Sequence, residues 1–312
     1  MVKEYIHIPI MLNECIEALN IKPDGIYVDC TTNRGGHAIE IVKKLGENGR
    51  LICIDLDAKA LIEAKERIEA KNHTRIDFIN DNYCNIISIL KSLNIEKVDG
   101  ILADLGISSE ELDISGRGFS FMRDEPLYMT FKDEKDIDDD TVTAEYILNN
   151  WEEDNIAAIL WGYADEMYRG RIARAICEAR QVKAIKSTTE LVEIIKNVVP
   201  GKYKSKRGSH FATRTFQALR MAVNDELGGV KDLIKSLPLI LKDEARVAVI
   251  TFHSTEDRIV KISIKENNLE QVNKKPIVPS DKEVIGNPRS RSAKLRIIKL
   301  TTTKNAKNKY NI

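Results

Sequence analysis

Over the first hundred residues short apolar runs alternate with stretches of helical periodicity, and this restricts the fold more than any other feature of the chain. "GIYVDC" (25–30), "RLICIDLD" (50–57), "RIDFIN" (75–80) and "VDGILADLG" (98–106) have the length and composition of buried strands. Between them, "AIEIVKKL", "AKALIEAKERIEA" and "CNIISILKSL" repeat their apolar residues at helical spacing. Strands that alternate with helices in this way predict βαβ units and a parallel sheet covered on both faces. The pattern then stops. From about Ser115 to Phe211 the chain reads as helices with no sheet strand, and strand signals return at "RVAVITF" (246–252) and "LRIIKL" (295–300). The expected architecture is a Rossmann-like α/β sheet domain, residues 1–114 and 212–312, carrying an inserted helical subdomain, residues 115–211.

The first strand runs into the turn "Asn33-Arg34-Gly35-Gly36" and then a helix, the place where nucleotide-like ligands bind in such sheets. The turn fails the G-x-G-x-x-G pattern of dinucleotide sites. Asp55, twenty residues after Gly35, ends the second strand, where a carboxylate accepts hydrogen bonds from both hydroxyls of an adenosine ribose. Asp29 places a second carboxylate at the end of the first strand. It would repel a pyrophosphate and suits the ammonium of a methionine moiety, which favours S-adenosylmethionine over a dinucleotide. Gly35 and Gly36 are expected to let the backbone approach the ligand. Asn33 stands where a glycine is usual, and asparagine visits the left-handed region more readily than other residues. Asp104, at the end of the fourth strand, faces the same crevice; it is expected to accept a hydrogen bond from an exocyclic amine, or simply to cap its own turn.

The charge is balanced over 312 residues but unevenly spread. Ten acidic residues and one basic residue lie between Asp133 and Asp154. Lys202–Arg220 carries six basic and no acidic residues, and 286–312 carries eight and none. Two separate basic segments predict a polyanionic partner, with a solvated tail as the plainer reading of the second. The five cysteines show no CxxC spacing, so neither a disulfide framework nor a zinc site is expected. No signal-peptide core or run of about 20 apolar residues is present, and a cytoplasmic location is expected.

Several runs together resemble signatures of the bacterial RsmH/MraW family: "HIPIML" (7–12), "RGGH" (34–37), "ADLGISS" (103–109), "GRGFSF" (116–121), "ATRTFQALRMAVNDEL" (212–227), "FHSTEDRIVK" (252–261) and "NPRSRSAKLR" (287–296). The resemblance runs from about His7 to Leu300 in order and spacing. It implies a class I methyltransferase that uses S-adenosylmethionine to methylate N4 of a decoding-centre cytidine (family target position 1402) in 16S rRNA of the small ribosomal subunit. By match to the family, Gly35, Gly36, His37, Asp55, Tyr83 and Asp104 are implied cofactor contacts, with Tyr83 against the adenine; Asp29 and Glu111 join them as cofactor candidates. Departures from the family pattern fall at Asn33, Glu111, Tyr128, Thr130, Lys132, Ala164, Asp165 and Phe211. They leave two alternatives open: the same cofactor with a different RNA acceptor, or a non-catalytic RNA-binding or ribosome-assembly paralogue.

His253 and Ser254 follow the returning strand and are catalytic candidates with Asp104; the plainer reading makes Ser254 a helix N-cap with acids in the first turn. Arg214, at a helix start beside a basic loop, is a phosphate candidate. Arg289, Arg291, Lys294 and Arg296 are RNA candidates, with Lys294 and Arg296 on one face of a strand. Phe119 or Tyr128 is expected to stack on a flipped cytosine. No metal is expected; a homodimer is held open.

Overall fold

The structure, a computed structural model, describes residues 8–69, 74–107, 115–132, 135, 137–138, 140–204 and 210–300. The chain divides into two compact units, 1–106 with 227–312, and 107–226.

The first unit is built on seven strands: β1 (Ile26–Asp29), β2 (Arg50–Asp55), β3 (Arg75–Asn80), β4 (Val98–Asp104), β5 (Leu241–Thr251), β6 (Leu269–Gln271) and β7 (Lys294–Leu300). Their order is β3-β2-β1-β4-β5-β7-β6. The first five are parallel, and β7 pairs antiparallel with both β5 and β6. The strand order reverses between β1 and β4, so the crevice beyond their carboxyl ends is the topological switch point of the sheet. The Rossmann-like parallel sheet expected from the sequence is present; the three-residue β6 is too short to leave a periodic signal and was not foreseen.

Alternation along the strands makes the core. Val28, Ile52, Ile54, Ile101, Val247 and Val249 point to one face, where α4 (Ile86–Ser92), α11 (Glu226–Ile240) and α12 (Ser254–Glu266) supply Ile89, Ile234 and Val260. Tyr27, Leu51, Cys53, Leu102, Ala248 and Ile250 point to the other, against α1 (Leu12–Leu19), α2 (Gly36–Val42) and α3 (Ala58–Glu69). Burial on both faces is why these strands read as continuous apolar runs. The last helix of this unit is α13 (Asp281–Gly286). No described helix is long and apolar enough to cross a membrane.

The second unit is helical: α5 (Ala144–Asn150), α6 (Glu153–Ala164), α7 (Arg169–Val182), α8 (Thr188–Val198), α9 (Gly201–Lys204) and α10 (Thr213–Val223). Ser187 caps α8 in a reciprocal capping box with Glu190. Its core joins Leu127, Met129, Ile147, Leu160, Ile176 and Leu191 to Phe216 and Leu219 of α10. The expected limits, 115 and 211, therefore fall inside this unit, because α10 buries its apolar stripe here and not on the sheet. The periodic run from Arg214 to Leu241 is two helices, broken at Asn224 and Asp225, whose φ of 45° is left-handed.

The register of β1 on β4 rests on a close fit. Tyr27 is paired with Gly100, and its ring covers the glycine: a Cβ there would lie 2.6 Å from Tyr27 Cε1. Below it, Asp99 accepts from the Ile26 N–H at 2.9 Å and from Lys242 Nζ at 2.7 Å. Gly100→Ala is expected to cost about 1–3 kcal/mol through overpacking against a ring with nowhere to move. Urea denaturation measures it, and an unchanged midpoint would mean that the ring is not confined.

Candidate active site

The turn after β1 ties three strand ends together. The Thr31 N–H donates to Asp29 Oδ1 at 3.2 Å, and Thr31 Oγ1 accepts from the Asp104 N–H at 2.7 Å. Two residues on, the Asn33 N–H donates to Asp55 Oδ2 at 2.6 Å, while Asp57 donates its N–H to Asp55 Oδ1 at 2.8 Å. Asn33 has φ 46°, a conformation asparagine tolerates, so its replacement of glycine leaves the turn intact and points its N–H at Asp55. Sequence reasoning missed Thr31. The signal was there: an Asp followed two residues later by a backbone donor is an Asx-turn, and "DCT" and "DLD" both form one.

Both glycines of the turn pack closely against the protein's own side chains. Gly35 has φ 78° and caps α2, with Ile68 Cδ1 3.0 Å from where its Cβ would sit. At Gly36 a Cβ would lie 2.5 Å from Pro9 Cγ. The protein's own side chains take the space the missing methyls leave. The His37 ring is likewise turned inward: it is buried, with Nε2 3.0 Å from the Ile10 carbonyl oxygen. Tyr83 opens the turn after β3, and its ring lies 3.4–3.6 Å from where a Cβ on Gly229 would stand. Glu111 lies outside the described residues.

Three acids meet at the strand ends, and among the described residues no lysine or arginine forms an ion pair with them. Asp29 is buried, and its Oδ2 is enclosed without a hydrogen-bond partner. Asp104 is partly exposed as a residue, yet its Oδ1 is enclosed and equally unpartnered. Burial first, then the neighbouring Asp29 and Glu256, pushes the Asp104 carboxyl up to about 8. Burial raises Asp29 to about 7, against the Thr31 hydrogen bond and with help from Asp55. Asp55 is raised to about 6, again by burial, although the backbone donors of Asp57, Asn33 and Leu56 oppose the shift. Each Asp55 oxygen holds one N–H and keeps a lone pair for a further donor.

His253, not Ser254, caps α12, which corrects the capping expectation. Its Nδ1 accepts from the Glu256 N–H at 3.3 Å, and Glu256 Oε2 accepts from the Phe252 N–H at 2.8 Å. His253 Nε2 lies 2.7 Å from Glu256 Oε1, but the N–H is not aimed along that line and makes no hydrogen bond. Ser254 is exposed in the first turn. Histidine wins the cap because the ring sits over the turn and its nitrogen reaches the third N–H as a serine oxygen would.

Several RNA candidates are committed to the fold instead. Arg296 is 5% exposed: its Nε and Nη2 donate to Asp257 at 2.7 and 3.0 Å, and its Nη1 donates to Gln271 Oε1 at 2.8 Å. Lys294 shares that face as expected, with Nζ 3.5 Å from the same carboxylate. Burial pushes Asp257 up, but the two cations outweigh it and hold the carboxyl below its usual range. Phe119 is core, 4% exposed and stacked on Phe131 at 5.5 Å, so it is no platform for a base. Arg214 donates from Nη1 to the Asp165 carbonyl at 2.6 Å and closes the end of α6. Thr130 is buried and accepts from the Lys132 N–H, while Lys132 Nζ donates to Thr141. Tyr128 is partly exposed; Arg289 and Arg291 are exposed on the turn before β7.

Removing the Arg296 guanidinium strands the Asp257 carboxylate, so Arg296→Ala is expected to cost about 3 kcal/mol in urea denaturation. Arg291→Ala, at an exposed position on the turn before β7, is expected to leave stability unchanged. A second expectation concerns pH. A folded carboxyl raised to about 8 binds protons that the unfolded chain, titrating near 4, has already lost, so stability falls as pH rises through that window. Asp104→Asn is therefore expected to raise Tm by several degrees at about pH 8 and little at about pH 4. An equal effect at both would show that the carboxyl carries no raised pKa.

The model of the MraW methylase family matches residues 4–301. Ribosomal RNA small subunit methyltransferase H of Clostridioides difficile (strain 630) is 42% identical, over 94% of this chain and 98% of that protein. The protein of the same name from Clostridium botulinum (strain 657 / Type Ba4) is 44% identical over the same shares. The solved structure of an rRNA methylase from Streptococcus thermophilus aligns over 95% of this chain and 99% of that one, with 11% identity and a TM-score of 0.40. A sheet whose switch point gathers carboxylates, in a sequence matched along almost its whole length, places the chain: it belongs to the MraW methylase family.

Proposed function

We propose that the chain is the small-subunit rRNA methyltransferase of its family, which transfers a methyl group from S-adenosylmethionine to N4 of a cytidine in 16S rRNA, in the cytoplasm. The observation that carries the cofactor is the pair of enclosed, unpartnered carboxylate oxygens on Asp29 and Asp104. Buried carboxylates without a partner are costly, and a cationic ligand relieves that cost. The fit extends to Asp55, whose free lone pairs suit the ribose hydroxyls, and to Tyr83, whose ring offers a surface to the adenine. Gly35, Gly36 and His37 contribute through the shape of the turn, since the His37 ring is engaged with Ile10.

The cofactor supplies an electrophilic methyl on a sulfonium, so the chain needs to align the acceptor and exclude water more than to move protons. Asp104 accepts a hydrogen bond from the exocyclic amine and directs the nitrogen lone pair toward the methyl carbon. His253, held on Glu256 by the α12 cap, stands at the end of the adjacent strand β5, and the exposed Ser254 that follows it is the group nearer the base in this reading. Arg289 and Arg291, exposed on the turn before β7, are the candidates for phosphate contact in this reading. The helical unit is the substrate-recognition element in this reading, with Tyr128 for stacking. Thr130 and Lys132 satisfy their polar atoms locally, which supports the family's acceptor over an altered one. A second copy of the chain is a separate proposal that sedimentation tests.

The purified protein, given radiolabelled S-adenosylmethionine and small subunits lacking the family's modification, is expected to label the decoding-centre cytidine at N4. Label elsewhere in the RNA would replace the acceptor; cofactor binding without any label would favour the non-catalytic alternative. Asp55→Ala is expected to weaken cofactor binding about tenfold to a hundredfold, a loss of one or two charge-assisted hydrogen bonds. Unchanged binding would remove Asp55 from the ribose site.

A further inference from the structure

The strand-end acids present a problem that the methyl-transfer reading leaves unsolved: what neutralises them when no cofactor is bound. Several described elements around Asp104 bring further titratable groups. From β1 come Asp29 and Cys30; from β2, Asp55; from α12, Glu256 and His253; from α1, Cys15 with Glu14 beyond it. Among the described residues no lysine or arginine forms an ion pair with Asp29, Asp55 or Asp104, whereas Asp99 at the opposite end of the same sheet has two lysines. Thr31 fixes the geometry. By bonding Asp29 Oδ1 through its N–H and the Asp104 N–H through its Oγ1, it prevents the two strand ends from spreading to relieve the repulsion. One oxygen of each acid remains enclosed and unpartnered.

We propose that the Asp29 and Asp104 carboxyls hold a proton in the empty enzyme, and that the cationic methionine end of the cofactor expels it to solvent on binding. The inference rests on the cofactor reading above. Two like charges enclosed together cannot both be ionised without a cation, as in paired carboxylates that share one proton. When the cation enters, it takes over the proton's electrostatic role, the carboxylic O–H bond breaks and the proton passes to the buffer. The pair therefore recognises the ligand's charge as well as its shape, and it is the element of the site that separates a charged cofactor from an uncharged nucleoside fragment. The direction of the pH dependence follows. A proton that must leave weakens binding at low pH, so affinity rises with pH, by up to about tenfold per unit for one proton, and levels off once the empty pair is ionised.

Three ligands test this in calorimetry, each titrated into the full-length protein in two buffers of different ionisation enthalpy. S-adenosylmethionine carries a sulfonium and an ammonium, S-adenosylhomocysteine only the ammonium, and 5′-methylthioadenosine neither. The range of about pH 5.5 to 7 keeps the ligand amine charged. S-adenosylmethionine is expected to release a proton and to bind more tightly as pH rises, with 5′-methylthioadenosine releasing none and binding equally across the range. S-adenosylhomocysteine locates the cation: release equal to that of the cofactor assigns the ammonium, and smaller release assigns the sulfonium. Asp104→Asn and Asp29→Asn, each checked for folding by its own melting curve, are expected to flatten the pH dependence of the cofactor. Equal proton release by all three ligands, or none by the cofactor, overturns the proposal while the cofactor reading stands. A pH slope undiminished in both variants overturns it too. If neither S-adenosylmethionine nor S-adenosylhomocysteine binds at any pH, the cofactor reading itself falls, and this inference with it.

Discussion

The repulsion between Asp29 and Asp104 is the interaction on which the site depends. A parallel sheet ends its neighbouring strands side by side, and here both central strands end in aspartate. The cost of that placement is borne because the backbone between them has no freedom to separate: the ladder continues through the Cys30 N–H to the Leu102 carbonyl at 2.8 Å and the Thr32 N–H to the Ile54 carbonyl at 3.0 Å. A site held in electrostatic tension is complementary to a cation before any cation arrives. It also explains why the turn needs no glycine at its first position. Asn33 reaches the left-handed conformation, and the hydrogen bond it gives to Asp55 fixes the third acid.

The scaffold serves the same end. Tyr27 and Gly100 lock β1 to β4, Asp99 with its lysines closes the far end of the sheet, and Pro9 and Ile68 press on Gly36 and Gly35 from opposite sides. Each contact removes one way in which the strand ends could move apart. On the other flank, the buried Arg296–Asp257 pair anchors α12 to β7, and the same helix carries His253 and Glu256 toward the crevice. A cation that sequence reading assigns to RNA thus holds a part of the active site in place.

Much of this was legible in the sequence, for physical reasons that also mark where it was not. The parallel strands were visible because burial on two faces writes uninterrupted apolar runs, and the strand-end acids were visible because they follow those runs directly. Side-chain direction was not. Arg296 and Phe119 carry the residue types that bind RNA, and only the packing reveals that one meets Asp257 and the other Phe131. Gly35 and Gly36 show a related limit: a glycine records that space is needed and says nothing of what fills it. The limits of the helical unit shifted because α10 is amphipathic, and periodicity gives the stripe without naming the core that receives it.

The empty site stores a proton where the cofactor's positive charge belongs. Infrared difference spectroscopy on protein carrying carbon-13-labelled aspartate observes that proton directly. At neutral pH a protonated-carboxyl C=O band is expected in the empty enzyme; it disappears when S-adenosylmethionine is added and is absent when Asp29→Asn and Asp104→Asn are combined. An empty enzyme with only ionised aspartates, or a band that survives saturation with cofactor, would contradict it.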